Sequence, residues 1–187
     1  MLNRRSVLAT GALAAIPLAA PVGALAQNRK DAVVLAMTLE PPGLDPTAGA
    51  ASAIAEIVQY NIFETLTKIN PDGSVSPLLA ESWEVSPDLK TYTFKLRAGV
   101  KFHDGSVMTA DDVVYSLNRA MAKTSNFTPF TQGISKVVKV DAKNIDILLT
   151  SPNPVLLRQL TELRVMSKAW AEKNKSVEPK DIKGTEE

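Results

Sequence analysis

The sequence predicts an α+β, mixed-sheet fold, and three observations predict it. Residues 91–96 alternate, with Tyr92, Phe94 and Leu96 on one side and Thr91, Thr93 and Lys95 on the other. That period-two pattern belongs to a half-buried strand. Turn chemistry recurs between short apolar runs, at Asn70-Pro71-Asp72-Gly73, Ser86-Pro87-Asp88 and Asp141-Ala142-Lys143, so the strands come in hairpin-like pairs. Apolar residues recur at helical spacing between those pairs, without internal repeats, which argues against a doubly wound parallel sheet.

Residues 1–26 read as an address. Arg4 and Arg5 precede an apolar, alanine-rich run at 7–25, and Ala24 and Ala26 are the small residues before Gln27. This is the three-part pattern of a secretory signal peptide. Asn3-Arg4-Arg5-Ser6-Val7-Leu8 resembles a twin-arginine export motif; Sec export is the rival route. A membrane anchor is the other reading, but Pro17 and Pro21 interrupt a run that is short for a span of about 20 residues. The expected product is a soluble periplasmic protein beginning near Gln27. Cleavage removes two of the 21 basic residues and none of the 20 acidic ones, so the formal charge moves from +1 to −1.

Residues 32–38, AVVLAMT, read as a buried strand. The prolines and glycine of Glu40-Pro41-Pro42-Gly43-Leu44-Asp45-Pro46 make a rigid loop. Ile54, Ile57, Val58, Ile62 and Leu66 give residues 51–66 one apolar helical face. A strand at 65–69 ends at the 70–73 turn. Residues 75–80 lead, through a short helical turn at Pro77-Leu78-Leu79, into a hairpin pairing 83–85 with 91–96.

A second loop, His103-Asp104-Gly105, precedes Thr109-Ala110-Asp111-Asp112. That tetrad is a capping box with Asp in place of the usual Glu or Gln. Val113, Leu117, Ala120 and Met121 continue it as an amphipathic helix. Residues 123–133 form a polar loop whose Phe127 and Phe130 suit the edge of a core. Residues 134–140 and 144–150 read as strands, with Ile145, Ile147 and Leu149 inward. Pro154 suits the first turn of a helix at 155–163. A short strand at 164–167 follows, and Ser167 can cap a helix at 168–174. From Lys175 onward the composition is charged, and alone it would be disordered.

Composition excludes several chemistries. The chain has 187 residues, 45% hydrophobic and 22% charged, which is ordinary for one globular domain or slightly more. Without cysteine there is no disulfide, zinc–thiolate site or cysteine nucleophile. The balanced charge and scattered basic residues leave no nucleic-acid footprint. His103 is the only histidine, too few for a metal site; it reads as a loop side chain hydrogen-bonding backbone ahead of Gly105. Asp111 and Asp112 suit the positive end of a helix dipole. Gly99 and Gly105 do not make a phosphate loop. Trp83 has Tyr92 and Phe94 as core partners, while Trp170 stays open as a ligand platform. No cofactor is expected.

The order Ala-Glu-Ser-Trp, Ser-Pro-Asp, Thr-Tyr-Thr-Phe, Leu-Arg-Ala-Gly-Val-Lys-Phe-His-Asp-Gly, Thr-Ala-Asp-Asp-Val-Val-Tyr-Ser, from Ala80 to Ser116, resembles the extracellular solute-binding proteins of family five. These are the peptide- and nickel-binding receptors of ABC importers. Weaker resemblance runs from Val33 to about Ala171. It implies the N-terminal part of a two-lobe, type II periplasmic-binding fold, incomplete here. Family members carry Gly-Thr-Gly-Pro-aromatic soon after this point, whereas Gly184-Thr185 is followed by Glu186.

The resemblance divides the chain into a signal peptide (1–26), the start of lobe I (32–47), a small subdomain (48–161) and a truncated return to lobe I (162–187). It implies that Glu40, Pro41, Pro42, Gly43 and Leu44 border the ligand cleft; a structural turn is the equal alternative. It implies a small solute, most often a peptide, and ABC permease subunits as partners. The rival functions are a periplasmic hydrolase and a stand-alone structural or signalling fragment.

Overall fold

The computed structural model describes residues 36–37, 39–49 and 51–179. The chain divides into two units, Met1–Ala36 and Met37–Glu187, and nearly all described residues belong to the second. The expected signal peptide and most of the expected 32–38 strand lie outside the described residues, as does the end of the charged tail; Ala36 and Met37 are irregular.

The described elements run α1 (Ser52–Val58), β1 (Glu64–Thr65), β2 (Thr67–Ile69), β3 (Val75–Pro77), β4 (Ala80–Val85), β5 (Thr91–Leu96), α2 (Ala110–Ala120), β6 (Ile134–Lys139), β7 (Asn144–Leu149), α3 (Leu156–Gln159), β8 (Arg164–Val165) and α4 (Lys168–Lys173). β4, β5, β7 and β6 form an antiparallel sheet in that order. β2 pairs with β3, and β1 pairs with the distant β8. The architecture is mixed α and β, as the hairpin-like pairing predicts.

The alternation in β5 does what period two requires. Tyr92, Phe94 and Leu96 are buried and face Ile145 and Ile147 of β7 through the pairs Tyr92↔Ile147 and Phe94↔Ile145. Trp83 lies opposite Phe94, with ring centroids 6.2 Å apart, so it is a half-buried core-edge residue. A bulge between Ala80 and Ser82 lets Ala80 and Trp83 both face inward although three positions separate them. α2 lays Val113, Leu117 and Ala120 on this sheet, completing one core with Val137 and Leu149. Burial of side chains of this size contributes about 1.5–3 kcal/mol each. Phe127 is buried beside Phe130 at the core edge, on a single 3₁₀ turn at Thr128–Thr131.

Four predicted elements are shorter or different. The helix expected at 51–66 stops at Val58: Phe63 N–H bonds the Val58 carbonyl, Tyr60 takes φ 61°, and residues 64–65 become β1. The expected helical turn at 77–79 is instead the end of β3 and a bend, because Leu78 and Ala80 both donate to the Leu66 carbonyl. The helix expected at 155–163 is the four-residue α3 followed by a 3₁₀ turn at Leu160–Glu162. Pairing with β1 limits the strand expected at 164–167 to Arg164–Val165.

Candidate functional site

The proline loop ends at Asp45, and Asp45 is an anchor. Its carboxylate accepts from the backbone N–H groups of Thr47 at 2.9 Å and Ala48 at 3.1 Å. From α2 the Arg119 guanidinium reaches it in a fork, Nη1 to Oδ1 at 2.7 Å and Nη2 to Oδ2 at 2.6 Å. Arg119 also donates to the Thr47 hydroxyl and, through Nε, to the Ser176 carbonyl. Its side chain is 1% exposed. Burial opposes the charge on Asp45, but the Arg119 hydrogen bonds, the two N–H donors and the nearby positive charge outweigh it. The carboxyl is held below the usual carboxylate range. One side chain of α2 thus joins the proline loop to the segment after α4.

The N-terminus of α2 makes a second junction. Asp112 Oδ2 accepts from the Thr109 N–H at 2.8 Å and the Thr109 hydroxyl at 2.7 Å, as the capping box predicts with Asp in the acidic place. Its other oxygen accepts the Lys168 N–H at 2.9 Å, the first residue of α4. One turn on, the Ser116 hydroxyl accepts the Met166 N–H and donates to the Asp112 carbonyl. Ser167 caps α4 by accepting the Trp170 N–H at 3.2 Å, as its position predicts. α2 therefore fixes β8 and α4 in place.

Those fixed elements form one wall of an open cleft of about 630 Å³. The 60–64 turn makes a second wall and the 100–104 loop a third. Val165, Met166 and Leu79 form a buried apolar floor. Above them Tyr60, Ile62 and Trp170 remain 39%, 37% and 50% exposed. Tyr60 holds its place with positive φ, which costs a non-glycine residue about 1–2 kcal/mol; its N–H bonds the Phe63 carbonyl at 2.8 Å.

Arg164, the neighbour of the floor residue Val165, is buried. Its buried guanidinium donates to Gln59 Oε1 at 3.1 Å and lies 5.1 Å over the Phe127 ring. Among the described residues no three His, Asp or Glu side chains converge as metal ligands.

The residues singled out in the sequence fall differently. Glu40, Pro41, Pro42, Gly43 and Leu44 do not line this cleft; Glu40, Pro42 and Leu44 are exposed and lead into Asp45. His103 stands at the rim, exposed, and among the described residues its side chain makes no hydrogen bond. Asp104, not His103, ties the turn, accepting from Ser106 N–H at 2.9 Å and its hydroxyl at 2.6 Å, with Gly105 at φ +86°. A short side chain beside the turn reaches those donors better than an imidazole does. Trp170 lines the cleft and Trp83 does not. The Asp45–Arg119 fork and the Asp112–Lys168 bond have no sequence signature, because no local spacing marks partners so far apart.

Comparison with known proteins places these features. The family model for "Bacterial extracellular solute-binding proteins, family 5 Middle" matches residues 74–186, more than half of the chain. The dipeptide-binding protein of Escherichia coli K12 is 34% identical over 156 residues, covering 71% of this chain and 29% of that protein. Di/tripeptide-binding protein 1 of Pseudomonas aeruginosa is 28% identical, covering 85% and 33%. Among solved structures, the binding protein AgaA from A. tumefaciens R10, in complex with agropinic acid, superposes with a TM-score of 0.67 at 36% identity, over 73% of this chain and 28% of AgaA. The chain spans about a third of the length of the curated relatives it matches. It belongs to the bacterial extracellular solute-binding proteins of family 5.

Proposed function

We propose that the complete protein is the solute-binding component of an ABC importer and that its solute is a peptide. The observation that carries this is likeness to a dipeptide-binding and a di/tripeptide-binding protein. A solute would be trapped between two lobes, stabilising the closed state of a hinge, and handed to permease subunits in the inner membrane. The protein would work in the periplasm, exported through cleavage after residue 26. Residues 32–47 would open lobe I, 48–161 form its small subdomain and 162–187 return to it. Glu40 to Leu44 would border the cleft between the lobes. The protein binds and does not make or break bonds. The AgaA likeness supports a second reading, a small non-peptide solute.

The stretch in hand corresponds to about a third of the curated relatives' length, and this stretch alone is expected to bind no solute measurably. The test is calorimetry with Ala-Ala, a tripeptide and agropinic acid, on this chain and on a chimera. The chimera continues this chain with the part of the E. coli dipeptide-binding protein beyond the matched stretch. Expected are no heat from the chain alone and dipeptide binding by the chimera. Tight peptide binding by the chain alone would overturn that expectation. A folded chimera that binds agropinic acid only would favour the second reading. Peptide hydrolysis lost in His103→Ala would favour an enzyme.

A further inference from the structure

We infer that Arg119 couples two chain segments, 45–48 and 174–177, so that they hold to α2 and open from it as one unit while the sheet stays closed. The coupling is a property of this chain's own residues and stands whether or not the complete protein captures a solute.

Neither segment is held by regular structure, since both lie outside every strand and helix. Thr47 and Ala48 are buried all the same, and buried backbone needs partners for its polar groups. The turn after α2 supplies some of them. The Thr47 carbonyl accepts from the Ser125 hydroxyl and the Asn126 N–H, each at 3.2 Å. The Ala48 carbonyl accepts from the Asn126 side-chain amide. In the other segment Lys175 takes φ 56°, and the Ser176 N–H bonds back to the Ala171 carbonyl at 2.8 Å. The Tyr115 hydroxyl of α2 reaches the Ser176 carbonyl at 3.4 Å and the Val177 carbonyl at 2.9 Å.

Among the described residues, Arg119 is the side chain that bonds both segments. Its two Nη atoms hold Asp45 and the Thr47 hydroxyl, and its Nε holds the Ser176 carbonyl at 3.3 Å. The guanidinium is buried, so a donor that loses its protein partner gains little water in exchange. If 45–48 lifts away, the buried cation loses its counter-charge and moves towards solvent, taking Nε from Ser176. If 174–177 lifts away, water reaches Nε and weakens the fork to Asp45. Docking of each segment therefore strengthens docking of the other, and by linkage the two effects are equal. The proline loop runs directly into Asp45, so its displacement is passed on to residues 174–177. Openings of this kind, confined to weakly anchored segments, lie below global unfolding in free energy.

Amide hydrogen exchange of the full chain, read residue by residue by NMR, tests this. Thr47, Ala48 and Asn126 report on the first segment, Ser176 on the second, and the paired Phe94 and Ile145 on the sheet. Tyr115→Phe removes the phenol's bonds to 174–177; the phenol makes none to 45–48 among the described residues. Exchange should quicken about fivefold at Ser176 and also at Thr47, Ala48 and Asn126, with Phe94 and Ile145 unchanged. A change at Ser176 alone would show two independent segments and overturn the coupling. Equal quickening at Phe94 and Ile145 would show global opening and overturn it too, as would no change at Ser176.

Two further variants place the coupling at Arg119. Arg119→Lys keeps a positive charge near Asp45 but has neither Nε nor the fork. In that background Tyr115→Phe should quicken Ser176 and no longer affect Thr47, Ala48 or Asn126; a persisting effect there would show that the coupling bypasses Arg119. Asp45→Asn decides the matter even if Arg119→Lys does not fold. Asp45 makes no hydrogen bond to 174–177 among the described residues, yet its loss of charge should quicken Ser176 about fivefold. Unchanged exchange at Ser176 in Asp45→Asn would overturn the inference.

Discussion

Asp45 and Arg119, 74 positions apart, meet as a two-pronged pair, with the arginine side chain wholly buried and the carboxylate at the edge of solvent. The fork ties the proline loop to the middle of the domain, and Arg119 Nε carries the tie on to Ser176. Asp45→Asn leaves a buried guanidinium without its counter-charge, which costs about 3 kcal/mol in urea unfolding. The pH dependence has a definite sign. A carboxyl whose pKa is lowered on folding contributes fully above its ordinary value of about 4 and loses that contribution as pH falls through the lowered one. The native chain should therefore lose stability below about pH 4 more steeply than Asp45→Asn, and the two curves should converge in acid. Parallel curves would show that the pair does not stabilise the fold.

Asp112 serves two helices at once. It receives the Thr109 N–H at the start of α2 and the Lys168 N–H at the start of α4. Asp112→Ala removes a cap and strands a second donor, so about 2 kcal/mol should be lost. Thr109→Ala removes the hydroxyl's own contacts with Asp112 but leaves the Thr109 and Lys168 N–H groups satisfied, so the loss should be nearer 1 kcal/mol. Equal losses in urea titrations would mean that the bond to α4 contributes nothing.

Phe94 has no exposed surface and pairs with Trp83 of β4 on one side and Ile145 of β7 on the other. Phe94→Ala should cost about 3–5 kcal/mol, a large share of the roughly 5–15 kcal/mol of an ordinary domain. Tyr92 is buried too, but its hydroxyl reaches the Asn153 carbonyl at 2.7 Å. Tyr92→Phe should cost only about 1 kcal/mol. If Phe94→Ala stayed folded with a native midpoint, the alternating face of β5 would not be the centre of this core.

What was legible in the sequence was what is local. Alternation placed β5, turn residues placed the hairpins, and the threonine–aspartate spacing placed the start of α2. Spacing failed where the backbone leaves a regular path for distant partners. Ile62 and Leu66 continue the helical period of Ile54 and Val58, yet the helix ends because residues 64–65 pair with Arg164 and Val165. The same period at 155–163 breaks where Thr67 hydroxyl bonds the Leu157 carbonyl and β2 packs against α3. The candidate site was legible only at its rim, through His103 and Trp170. Its floor comes from β8, whose position depends on Ser116 and Asp112, and no local pattern reveals those bonds.

The last prediction concerns export. Arg4 and Arg5 followed by an apolar run and Ala24-Leu25-Ala26 have the pattern of a removable leader, and cleavage is proposed after Ala26. Expressed with its leader in a bacterium, the chain should be recovered from the periplasm beginning at Gln27, as N-terminal sequencing would show. Replacing both arginines by lysine separates the two routes. A twin-arginine leader needs the pair itself, so export should stop, whereas a Sec leader needs only positive charge and export should continue. Recovery of material beginning at Met1 would remove the leader, and with it the periplasmic location on which a role in capturing external solute depends.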